Sequence, residues 1–102
     1  MYKRDVAAAD QVTVQALEEL QERIRLAPGQ LIATRIKRAR KPLSHDQFGA
    51  KVGTSRQHLI KLEQAKHRPR AEMLLRIARE SGHDVDWFLD PEVDPSPFPE
   101  AA

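Results

Sequence analysis

Apolar residues recur at three- and four-residue steps through most of this chain, and the runs are separated by prolines, glycines or short polar stretches. A period near 3.6 puts such residues on one face of a helix, so the pattern predicts an all-α chain of short amphipathic helices. Val14, Leu17, Leu20 and Ile24 mark the first helix, running from an N-cap at Asp10 to Leu26, with Glu18, Glu19, Glu22 and Arg23 on the other side. Ala27, Pro28 and Gly29 end it. Ile32 and Ile36 define a second helix over 30–40, which Pro42 stops. Phe48 and Val52 define a third over 44–52, where Ser44 and Gln47 form a capping-box pattern. Leu59 and Leu62 define a fourth over 55–63, capped by Thr54 or Ser55. Leu74, Ile77 and Ala78 belong to a fifth, which Pro69 starts and Gly82 stops, and Val85, Trp87, Phe88 and Leu89 form a last short helix that closes the core.

Two glycines refine this picture. Gly53 follows the third helix and permits φ > 0 at low cost, so the chain can turn sharply into the fourth. Gly49 lies inside a helix, where glycine costs about 1 kcal/mol relative to alanine; its use there predicts a close approach by the backbone of the fourth helix. On that fourth helix Arg56, Gln57 and Lys61 fall opposite Leu59 and Leu62. These outward side chains suit base edges, because arginine meets the two acceptors of guanine bidentately and glutamine can pair with adenine.

At 102 residues the chain has the size of one domain with a small core, too small to add an ordinary catalytic domain. Its net charge of +2 hides an asymmetry: residues 28–89 carry thirteen Lys/Arg against six Asp/Glu, whereas residues 90–102 carry four acidic residues and no basic one. A basic domain suits a polyanion, since each phosphate contact releases counterions. Three segments follow: an arm and amphipathic helix over 1–27, a central domain over 28–89, and an acidic, Pro-rich tail over 90–102 that is expected to be disordered. The stripe from Val14 to Ile24 either folds back on its own domain or pairs with a second copy, and the Trp87 and Phe88 end is a second place where a homodimer could form.

The remaining chemistry is sparse. There is no cysteine, and no apolar run reaches membrane-spanning length, so a soluble protein of a reducing cytoplasm is expected. His45, His58, His67 and His83 are too far apart for a local ligand pair, and no metal is expected. Ser44, His45 and Asp46 are neighbours on a helix and project about 100° apart, which prevents a triad. A glycine-rich phosphate loop is absent. The expectation is a binding protein without a cofactor, not an enzyme.

Residues 31–89 resemble the phage Cro and repressor family of helix-turn-helix domains. The resemblance rests on LSHDQFGAKVGTSRQHLIKLE, then KHRP, LLRIARESG and VDWFL, in the order and close to the spacing of that family. It implies a compact five-helix, lambda-repressor-like domain, here with an extra N-terminal amphipathic helix. It also implies that the third helix lies across the DNA backbone while the fourth enters the major groove. Arg56, Gln57 and Lys61 match its base-reading positions. Ser44, His45, Thr54, Ser55, Lys66, His67 and Arg68 stand at or beside its phosphate contacts, and Arg40 and Glu63 match a structural ion pair. The implied function is a transcriptional regulator of double-stranded DNA, foremost a repressor of the phage immunity type occupying an operator. An antitoxin that autoregulates its promoter and a protein-interaction adaptor that never reads DNA remain alternatives, with an antirepressor or a toxin as conceivable partners. Three departures stand out: the connection 41–43 is short, and Ile60 occupies a usually polar position, packing on the N-terminal helix or on a partner. In addition, Ala65 stands where glycine is preferred, implying another helix ending or strain on the order of 1 kcal/mol.

Overall fold

A computed structural model describes residues 13–93, and among these it contains six helices: α1 Val14–Leu26, α2 Gly29–Arg40, α3 His45–Val52, α4 Arg56–Glu63, α5 Ala71–Ser81 and α6 Val85–Leu89. The Asp10 cap, the arm over 1–9 and the tail beyond Val93 lie outside the described residues. None of these helices is long and apolar enough to cross a membrane.

The helix ends follow local side-chain chemistry. Thr13 caps α1, its hydroxyl accepting from the Ala16 amide at 3.0 Å, so the start seen here falls later than the expected one at Asp10. The capping box of α3 is complete: Ser44 Oγ accepts from the Gln47 amide at 3.0 Å, and Gln47 Oε1 accepts from the Ser44 amide at 2.9 Å. Ser55, not Thr54, caps α4 by accepting from the His58 amide at 3.0 Å. Pro69 is fully buried just ahead of α5, which begins at Ala71 instead of at the proline. The connection 41–43 is closed by the Leu43 amide donating to the Arg40 carbonyl at 2.9 Å, and its Lys41–Pro42 peptide is cis.

All six helices contribute to one core. Ile24, Ile32, Ile36, Phe48, Val52, Leu59, Leu62, Leu74, Ile77 and Phe88 are essentially inaccessible, and each such side chain contributes about 1.5–3 kcal/mol of hydrophobic stabilisation. Helix α1 takes part through Leu20 and Ile24 and packs on α5, so its apolar stripe is folded back on its own chain. Only Val14 and Leu26 remain exposed, at 71% and 67%. Trp87 and Phe88 are interior as well. Leu20 and Ile24 of the stripe and the Trp87 and Phe88 end are thus occupied within one copy, with Leu17 partly buried against the core and Val14 left exposed. An exposed ion pair, Arg23 to Asp86 at 2.6 Å, links α1 with α6, but solvent leaves such a pair little net effect.

At the α6 end a charged group is buried. Arg35 of α2 donates through Nη1 to the carbonyls of Trp87 and Val93, and its guanidinium carbon lies 5.1 Å from the centre of the Trp87 ring. His83 stacks on the same indole, centroids 3.9 Å apart and planes 8° from parallel. Burial, reinforced by the Arg35 charge and opposed by Asp84, holds the His83 imidazole below its ordinary value of 6.5. The folded chain thus resists a proton that the unfolded chain accepts. Stability from this group is complete above the unfolded value and declines as pH falls through the folded one. Replacing His83 with Phe, which keeps a ring on the indole, should flatten the pH dependence of the unfolding free energy between about pH 7.5 and pH 5; unchanged steepness would assign that dependence elsewhere.

Candidate nucleic-acid interface

Helices α3 and α4 meet at a turn whose geometry depends on two glycines. Gly53 takes φ 78°, in the left-handed region, and the Thr54 amide then reaches back to the Gly49 carbonyl at 2.9 Å. A Cβ placed on Gly49 would sit 2.8 Å from the Thr54 carbonyl oxygen. The close neighbour of Gly49 is thus the turn itself and not, as its sequence position suggested, the body of α4. Gly49→Ala should destabilise the domain by about 1–2 kcal/mol, since forcing the turn outward outweighs the gain in helix propensity. Chemical denaturation checks this, and no loss of stability would mean that the turn yields freely.

The end of α3 is held from a distance. Arg76 of α5 donates through Nε to the Val52 carbonyl at 2.9 Å, satisfying a helix-end carbonyl. Nothing local in the sequence marks Arg76 for this task, because its partner lies 24 residues away.

The far end of α4 is held by the Arg40–Glu63 pair. Arg40 Nε and Nη2 meet the two carboxylate oxygens at 2.6 and 3.1 Å, and Arg40 Nη1 donates to the Leu43 carbonyl at 2.7 Å. The side chains are only 9% and 6% exposed. His45 Nε2 lies 3.1 Å from Glu63 Oε1, so this cluster gathers the end of α2, the connection after it, the start of α3 and the end of α4. His45 is partly buried there. Ile60 lines a hollow with Lys37, Arg40, His45, Glu63 and Gln64, on the α2 side of α4.

Anchored in this way, α4 sends Leu59 and Leu62 inward and leaves Arg56, Gln57 and Lys61 exposed together. Arg56 Nε is 3.9 Å from Asp46 Oδ1, but both side chains are well exposed and the pair holds neither firmly. Around them stand the hydroxyls of Ser44 and Ser55, whose oxygens accept capping bonds, and a half-buried Thr54. Each serine retains its hydroxyl proton for a further acceptor.

Beyond α4 the chain reverses at Ala65, which takes φ 63°, so the left-handed strain on the order of 1 kcal/mol is accepted rather than avoided. The Lys66 amide donates to the Lys61 carbonyl at 3.0 Å, and Lys66 and His67 project into solvent. The His67 and His58 ring centroids are 6.2 Å apart. Arg68 departs from this set. Its Nη1 donates to the carbonyls of Ile24 and Ala27 at 2.7 and 2.6 Å, which commits the guanidinium to the end of α1. Arg68 nonetheless stays exposed beside Lys66 and His67, so it differs from them in being tied to α1.

Two short helices joined through a left-handed glycine, the second secured at both ends with a polar face outward, define a helix-turn-helix protein. A family model described as helix-turn-helix matches residues 36–88, and the chain belongs to this Cro/repressor-like family of DNA-binding transcription regulators. Comparison with curated proteins and with solved structures found no match.

Proposed function

We propose that the protein is a sequence-specific repressor, which occupies a double-stranded DNA operator by placing α4 in the major groove and so excludes polymerase. The observation that carries this reading is the exposed group Arg56, Gln57 and Lys61 on a helix whose opposite side and C-terminal end are buried. An anchored helix with exposed polar tips suits base reading: Arg56 would meet guanine bidentately, Gln57 adenine, and Lys61 an acceptor further along the groove. Ser44, His45, Thr54, Ser55, Lys66 and His67 surround that face and would fix its register against phosphate oxygens. Such a protein would act in the cytoplasm, on nucleoid DNA.

The test is selection of bound sites from random duplex DNA, followed by binding of variants to the recovered site. Arg56→Ala should cost about 1–3 kcal/mol and relax the preference at one base pair. Equal loss on every sequence would remove Arg56 from the base-reading group. Neutralising Lys66 should make the salt dependence shallower by about 0.9 in the log–log slope. Binding insensitive to salt and to Arg56→Ala would favour a protein-interaction adaptor instead. The length and symmetry of the selected site report whether one copy or two bind.

A further inference from the structure

The loop 64–70 joins α4 to α5, and its conformation is set mainly by a helix outside the family match. At its start the Lys66 amide is tied to Lys61 within α4. At its end two bonds reach α1. Arg68 Nη1 donates to the Ile24 and Ala27 carbonyls, 44 and 41 residues away in sequence. Those carbonyls lie at the C-terminal end of α1, where backbone acceptors lack helical partners and the helix dipole favours a cation. In return, Gln21 Oε1 of α1 accepts from the Ala71 amide at 2.9 Å. That amide opens α5, whose N-cap residue Arg70 provides no side-chain cap. Helix α1 thus caps the start of α5, and the loop in turn caps the end of α1. Gly29 makes room for the arrangement, since a Cβ there would stand 3.3 Å from Arg68 Nη2. Between these ties, with Pro69 buried beside them, Lys66 and His67 face outward, and Arg68 keeps an exposed surface while its Nη1 is engaged by α1.

We propose that α1 presets the loop for DNA through Gln21 and Arg68, and that Arg68 is a positioning residue and not a phosphate ligand. This rests on the reading of Lys66 and His67 as phosphate contacts. A loop already in its bound shape avoids the ordering cost of binding, so loosening it weakens association without removing a charge contact. Two kinds of substitution separate the roles. Arg68→Lys keeps the charge, but its ammonium ends one atom short of Nη1, the nitrogen that reaches both carbonyls; Gln21→Ala changes no charge at all.

Both Arg68→Lys and Gln21→Ala should weaken binding to the selected site roughly three- to tenfold while leaving the salt slope at the wild-type value, and Gln21→Glu, which keeps an acceptor oxygen, should restore affinity. Hydrogen exchange of the free protein provides a readout without DNA: in Gln21→Ala the hydrogen-bonded Lys66 and Ala71 amides should exchange faster, while those of α3 and α4 stay protected. Full affinity in Arg68→Lys together with a shallower slope in Arg68→Gln would overturn the inference and restore Arg68 to the phosphate contacts. Unchanged loop exchange in Gln21→Ala would overturn it whatever the DNA result. Absence of salt-dependent DNA binding by the wild-type protein, with the exchange response present, would instead overturn the proposed function and leave the tie between α1 and the loop established.

Discussion

Glu63→Ala is expected to destabilise the domain by about 3–5 kcal/mol, because it strands a buried guanidinium without its counter-charge. Arg40 and Glu63 are almost fully enclosed and joined by two hydrogen bonds, so the modest value of an exposed pair does not apply. Against a total stability on the order of 5–15 kcal/mol, such a loss is large. It would also free the end of α4 from α2 and relieve His45 of its partner. The diagnostic comparison is a double variant, Arg40→Met with Glu63→Leu, which removes both charges and should recover most of the loss. Urea denaturation of the single and double variants measures this. Single substitutions costing under about 1 kcal/mol would mean that the pair behaves as a surface ion pair.

The second large effect is expected at Arg35, only 4% exposed. Arg35→Met preserves much of the side-chain volume but withdraws the donor from the Trp87 and Val93 carbonyls and the cation from the indole face. Charge-assisted bonds of this kind contribute about 1.5–3 kcal/mol each, and a total loss of about 2–4 kcal/mol is expected once the methionine recovers some burial. Trp87 is the single tryptophan of the chain, so its fluorescence reports on the site directly. Emission should shift toward that of solvated indole at lower denaturant than in the wild-type chain. A coincident transition would indicate that α6 is held by its apolar contacts alone.

Sequence legibility followed the range of the interactions involved. The Ser44 and Gln47 capping box, the left-handed turn at Gly53 and the ends of α2, α4 and α5 depend on residues a few positions apart, and periodicity together with turn chemistry located them closely. The outward set Arg56, Gln57 and Lys61 was equally readable, since Leu59 and Leu62 determine which way the helix faces. Interactions across the fold left no such trace. Arg35 meets Trp87 across 52 residues and Gln21 meets Ala71 across 50, and no local pattern says which arginine turns inward or which glutamine caps a remote helix. The tie of Arg68 to α1 was hidden for the same reason, since by sequence it is one basic residue in a basic loop. The fate of the α1 stripe was likewise undecidable from helical period alone, because a face that folds back and a face that pairs with a copy have the same pattern.

The two sides of α4 share no side chain. Leu59, Leu62 and Glu63 serve the interior, whereas Arg56, Gln57 and Lys61 are exposed and fill no core position. If those three side chains read bases as proposed, target and scaffold are inherited separately: drift at three tips would retarget the regulator while its melting behaviour stayed nearly constant, and a substitution at Glu63 would abolish it without altering its vocabulary.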